Sequence, residues 1–232
     1  MMYRDRAAAG RRLLQRMREQ IPGLDGSNPV ILGMAPGGLP VAREIALGLR
    51  APLDVAIAVR LTAPGYDTLG IGGVATGGIA RVDRRTIAML GVPPEYVAET
   101  VRAKSADVER LATRYRGRRP ALSLDQRLVV VVDDGAQTRF RSRAAVASAR
   151  ASGAREVIFA VPVASSDMLS DVAEEADAVV CDQVPETHCG IGAYYGEWDP
   201  PRMEELRAML TRMHTMEGGR VPHRRSRAAE VR

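Results

Sequence analysis

The sequence is short of the residues that most often announce a specialised chemistry. Only two cysteines and three histidines occur among 232 residues. Two cysteines, Cys181 and Cys189, cannot build the disulfide framework of a small secreted domain. Three histidines leave a zinc site short of ligands. Aromatic residues make up 4% of the chain, so the core must rest on Val, Leu, Ile, Ala and Met. No apolar run approaches the ~20 residues that a membrane-spanning helix requires. The first residues, MMYRDRAAAGRRL, become charged at once and lack the apolar stretch of a signal peptide. A cytoplasmic protein is the expectation.

What is present fits an ordinary globular α/β chain. Hydrophobic residues make up 46% and charged residues 26%, enough to bury the core of one sizeable domain. The formal net charge is +5. Much of the excess sits at Arg11 and Arg12, at Arg118 and Arg119, and in a tail with Arg220, Arg224, Arg225 and Arg227. Such a balance attracts anionic nucleotides or nucleic acid but does not specify a fold. Beyond residue 216 the chain lacks both periodicity and apolar mass, so 1–216 reads as the domain and 217–232 as a disordered basic tail.

Along the domain the apolar periodicity alternates between strand and helix. Leu13, Leu14 and Met17 predict an amphipathic helix over 4–20. A short strand over 29–34 precedes the Gly37–Gly38 turn and a helix over 39–49, and a strand follows over 52–59. The glycine-dense stretch 70–82 predicts a two-stranded hairpin at a sheet edge. Residues 94–116 carry the longest helical pattern. Strands over 156–163 and 177–182, with helices over 166–175 and 200–215, complete the pattern. Strand, loop, helix, strand in this order implies right-handed crossovers and a parallel sheet flanked by helices.

The richest stretch is 127–150, RLVVVVDDGAQTRFRSRAAVASAR. Val129 to Val132 form the continuous apolar run of a strand buried on both faces. Asp133 and Asp134 follow at its carboxyl end, where open α/β sheets bind ligands. The helix that follows offers unpaired N–H groups and a positive dipole end, which suit a phosphate. Acids that can hold hydroxyls or a hydrated metal, beside a phosphate seat, point to a phosphorylated sugar.

This stretch resembles the signature of the type I phosphoribosyltransferases. Four further stretches carry the resemblance over roughly residues 3 to 198: YRDRAAAGRRL, PGGLPVAREIA, APGYDTLGIGGVATGG and PETHCGIGAYYGEW. The resemblance implies an α/β domain with a small hood from the terminal segments. It also implies a phosphoribosyl transfer from phosphoribosyl pyrophosphate (PRPP) with Mg²⁺ as cofactor. By it, Asp133 and Asp134 would hold the ribose hydroxyls and, through water, the metal. Gly135, Ala136, Gln137, Thr138, Arg139 and Arg141 would surround the 5′-phosphate. Gly37, Gly38 and Arg60 would meet the pyrophosphate, and His188 and Tyr194 would lie near the acceptor pocket.

The chain departs from the pattern at several positions. Gln137, Arg139, Phe140 and Arg141 stand where the loop has small residues, glycine and threonine. Ala35 and Pro36 stand where the related stretch reads Pro-Arg, and Arg60 replaces a lysine. The arginines either take over part of the loop's task, since guanidinium forks bind phosphate well, or fill it. Two other readings therefore stay open. One is a protein on the same scaffold that binds a nucleotide or sugar phosphate without transferring it. The other is a nucleic-acid binder that works through the basic tail. No residue identifies the acceptor or fixes the oligomeric state, and a homodimer is left open.

Overall fold

The structure, a computed structural model, describes residues 2–136, 139–186 and 190–218, with side chains up to residue 213. Gln137, Thr138, His188, Cys189 and the tail from 219 lie outside the described residues. In chain order the elements begin with α1 (Arg6–Gln20), β1 (Val30–Met34), α2 (Gly38–Leu49), β2 (Leu53–Ala56) and β3 (Ala58–Ala63). Next come β4 (Tyr66–Ala75), β5 (Ile79–Val82), α3 (Arg84–Met89), α4 (Pro94–Arg116) and β6 (Leu128–Val132). The remaining elements are α5 (Arg139–Ala151), β7 (Glu156–Val163), α6 (Ser166–Ala173), β8 (Ala178–Gln183) and α7 (Met203–Gly218).

Five strands form a parallel sheet in the order β2-β1-β6-β7-β8. The valine run fills its middle, where Val129 to Val132 pair with Val30 to Gly33 on one side and Val157 to Ala160 on the other. Side chains alternate between two cores, as the two-residue strand period demands. Ile31, Val130, Val132 and Ile158 pack with Leu13 and Met17 of α1 and with Leu39 and Ile45 of α2. Val129, Val131, Val157 and Phe159 face Ala145, Val146 and Ala149 of α5. The chain leaves β1 toward β2 on one side and returns to β6 on the other. The carboxyl ends of β1 and β6 thus flank the point where strand order reverses, the usual ligand crevice of such sheets.

Two expectations need correction. The strand expected over 52–59 is two strands, broken at Ile57. Ala56 pairs with Met34, and its carbonyl accepts from Ala35 N. The next donor toward β2 in this alternating ladder would be Gly37, whose helical backbone (φ −74°, ψ −32°) already turns the chain into α2. From Ala58 the chain pairs antiparallel with β4 instead. The hairpin expected over 70–82 exists as β4 and β5, but it does not edge the parallel sheet. With β3 it forms a separate three-stranded sheet in the order β3-β4-β5. Its turn uses Gly77 and Gly78, both at positive φ (77° and 68°), where glycine carries no Cβ penalty. The short helix α3 follows the hairpin, and Asp83 caps it by accepting from Thr86 N. Among the described residues no helix is long and apolar enough to cross a membrane.

Candidate functional site

The acid pair forms because β6 ends inside the sheet. Asp133 N still donates to Ala160 O of β7, while the Asp133 carboxylate turns back to accept from Asp134 N at 3.0 Å. Asp133 is 5% exposed. Burial dominates its titration and pushes the carboxyl up to about 7, with Asp134 adding to the rise and Arg141 opposing it. Desolvation penalises a buried anion more than this one cation compensates.

Asp134 is held on three sides. Arg6 Nε of α1 donates to its Oδ2 at 2.8 Å. Tyr195 Oη donates to its backbone carbonyl at 2.5 Å. Gly37 lies so close that an added Cβ would overlap Oδ2. Gly38 stands equally tight behind Asp133, where a Cβ would meet Val132 O at 2.5 Å. The Gly37–Gly38 turn, which follows a cis Ala35–Pro36 peptide, is thus seated directly against the acids. Any side chain there would displace them.

In front of the acids lies a cavity of about 530 Å³. Asp133, Asp134, Gly135 and Ala136 form one wall, Arg60 and Arg141 bring positive charge, and Ile191, Gly192 and Trp198 close it from the chain's later segment. Gly135 allows this closure, since a Cβ there would overlap the Ile191 side chain. Ala136 continues the line of β6 by donating to Val163 O.

The three arginines at the start of α5 part company. Arg141 faces the cavity, with Nε donating to Ala58 O and an Nη to Ala35 O, both at 3.0 Å. Arg139 points elsewhere: its guanidinium pairs with Asp83 at 2.6 Å and with Asp171 at 3.1 Å. Arg143 pairs with Glu174 and Glu175, each at 3.2 Å. Positive side chains at a helix start oppose its dipole, and these acids offset that repulsion. Arg139, expected beside the phosphate, thus lines a separate cleft with Asp83 and Asp171 rather than the cavity of the acids. Phe140 also turns away, its ring packing on β4, where a Cβ on Gly70 would stand 2.6 Å from Cε2.

The remaining candidates divide similarly. Arg60 lines the cavity and donates to Asp67 O at 3.2 Å. Tyr194 is half-buried, packs beside Tyr3, Ala9 and Val163, and accepts from Tyr3 N through its carbonyl; the cavity lining does not include it. Gln137, Thr138 and His188 lie outside the described residues.

Two contributors escape a reading of the sequence. Trp198 lines the cavity and is 36% exposed. Arg6 reads as one of several arginines on an amphipathic helix, yet its guanidinium stacks 3.9 Å from the Trp198 ring and binds Asp134. Only its place one residue after the Asp5 cap distinguishes it, and that signal says nothing of a partner 128 residues away.

Comparison with known proteins agrees with this geometry. Residues 2–196 match the family described as "Phosphoribosyl transferase domain". The chain is 33% identical over 213 residues to the Mycobacterium tuberculosis protein named "Putative phosphoribosyl transferase Rv0571c", a match that covers 92% of this chain. It spans 47% of that relative, about half its length. A crystal structure of TT1426 from Thermus thermophilus superposes with a TM-score of 0.78 at 32% identity, covering 92% of this chain and 99% of that one. With a matched domain over most of its length and an acid pair at the switch point of a parallel sheet, the chain belongs to the phosphoribosyl transferase domain family.

Proposed function

We propose that the cavity binds PRPP or a closely related phosphorylated ribose, and that the protein transfers the phosphoribosyl group to an acceptor. One observation carries this reading: Asp133, Asp134, Arg60 and Arg141 line a single cavity at the strand-order reversal, with the Gly37–Gly38 turn packed against the two acids. Carboxylates accept hydrogen bonds from a sugar diol, and guanidinium groups bind phosphate oxygens.

Mg²⁺, which the family resemblance implies, fits the residues present. Among the described residues no three or more His, Cys, Asp or Glu side chains gather. Asp133 and Asp134 would therefore supply few ligands, as suits an ion that keeps water and takes substrate oxygens. When bound it would offset charge on the leaving pyrophosphate. The chain's own residues would orient the sugar through the acids and hold its phosphates near Arg141 and Arg60. Ile191 and Trp198 would shield the anomeric carbon from water. In the transfer the bond from the anomeric carbon to pyrophosphate breaks, the bond to the acceptor forms, and the acceptor gives up a proton.

Calorimetric titration of PRPP with Mg²⁺ into the wild type and into Asp133→Asn/Asp134→Asn tests the reading. Saturable binding, lost in the double variant, is the expected result. No binding to the wild type would overturn it. A second reading, binding without transfer, draws support from Asp134 being already ion-paired to Arg6. Tight PRPP binding with no pyrophosphate release across a panel of nitrogenous bases would favour that reading.

A further inference from the structure

Arg6 is the basic side chain that binds the acid motif directly, and its surroundings are built to fix it. Its Nε donates to Asp134 Oδ2 at 2.8 Å, and an Nη donates to Asp199 O at 2.8 Å. The guanidinium lies 3.9 Å from the Trp198 ring centre and 5.9 Å from that of Tyr195. The ion pair is largely sheltered, with side-chain exposures of 11% for Arg6 and 14% for Asp134. The neighbouring main chain repeats the tie: Tyr3 N donates to Tyr194 O, and Gly196 N and Glu197 N donate to Tyr3 O and Arg4 O. The same two segments thus carry the cavity wall at Trp198 and the clamp on Asp134.

A carboxylate free to rotate loses that freedom each time it binds a hydroxyl, whereas one held by a guanidinium that is itself anchored at a second point is already oriented. We propose that Arg6 is a positioning residue for Asp134. It fixes the carboxylate and holds Trp198 beside it, so that affinity for a phosphorylated ribose depends on Arg6 through Asp134. This rests on the proposed reading of the cavity.

The test is a double-mutant cycle read by calorimetric titration of PRPP with Mg²⁺. The proteins are the wild type, Arg6→Gln, Asp134→Asn, the double variant and Arg6→Lys. Arg6→Gln should weaken binding at least about tenfold, and Asp134→Asn at least as much. The double variant should be no weaker than Asp134→Asn alone, because Arg6 then has no carboxylate to orient. Arg6→Lys, which keeps the charge beside Asp134, should recover part of the lost affinity. A purely structural role would make the two losses multiply, and that result would overturn the proposal, as would unchanged affinity in Arg6→Gln. If Arg6→Gln does not fold, Arg6→Lys decides the matter with Arg12→Gln as the reference. Arg12 ties the same helix to Asp182, outside the cavity. Affinity lower in Arg6→Lys than in Arg12→Gln supports the proposal, and equal affinity overturns it. Absence of PRPP binding in the wild type is a different failure: it removes the reading of the cavity itself.

Discussion

The ring of Phe140 packs against Gly70 so closely that a single added methyl on the glycine would stand 2.6 Å from Cε2. Farther along β4, a Cβ on Gly73 would overlap the Phe140 carbonyl. The glycines of the three-stranded sheet and the bulky residue at the start of α5 therefore answer one another across the molecule.

Gly73→Ala should accordingly destabilise the fold by about 1–3 kcal/mol, since backbone has to shift to admit the methyl. Phe140→Ala, alone or with Arg139→Gly, should lower the melting temperature and leave PRPP affinity no stronger. Tighter binding in the Arg139→Gly/Phe140→Ala variant would show that these side chains crowd the cavity after all.

Arg141 and Arg139 stand two residues apart with opposite expectations. Arg141→Ala should weaken PRPP binding by roughly tenfold or more, in line with the loss of one charge-assisted contact. Arg139→Ala should change affinity by less than about threefold, because its charge is taken up by Asp83 and Asp171. Isothermal titration of both variants at one salt concentration makes the comparison, and equal losses would contradict the geometry.

The buried acid gives a dependence on pH. Asp133 has an ordinary value of 3.8 and is pushed up to about 7 in the folded protein. Between those values the folded chain keeps a proton that the unfolded chain has released, so stability falls as pH rises and levels off above the folded value. Asp133→Asn removes that contribution. Relative to the wild type, it should gain on the order of 2 kcal/mol in urea unfolding on going from pH 5 to pH 8. An identical difference between the two proteins at both pH values would count against the raised value.

Asp54 anchors the outer strand of the parallel sheet. It is 6% exposed, and its two oxygens accept from Arg116 Nε at 2.9 and 3.0 Å, with a further bond from Leu122 N at 3.1 Å. Asp54→Ala leaves the guanidinium without its counter-charge, with only the Val55 carbonyl to bind, and should cost about 3–5 kcal/mol. Arg116→Ala should cost a similar amount, and the pair together clearly less than the sum, as chemical denaturation would show.

Much of the scaffold is legible without coordinates because it follows from local pattern. Four valines in a row suit a strand covered on both faces, and helix α4 ends where Gly117 permits a positive φ of 63°. The acid pair is legible too, being tied to the end of that strand. The break at Ile57 is not, because it depends on where the partner strand ends rather than on residues 52–59 themselves. Nor does sequence say which way Arg139 and Arg141 turn: the choice is made by acids at 83 and 171 and by carbonyls at 35 and 58. Arg6 and Trp198 belong to the same class, since what gives each its place is the other.

That last dependence sets an order on how the molecule comes into being. Arg6 leaves the ribosome 193 residues ahead of the Asp199 carbonyl that it binds. The parallel sheet, whose neighbours lie closer along the chain, can form while Arg6 still lacks this second anchor. Long-range closures of this kind come late because the intervening chain must first be ordered. A nascent chain can therefore pair its five parallel strands, the last ending at Gln183, around a crevice that is still open. The crevice becomes a pocket only when the 191–199 segment emerges and finds the first helix waiting.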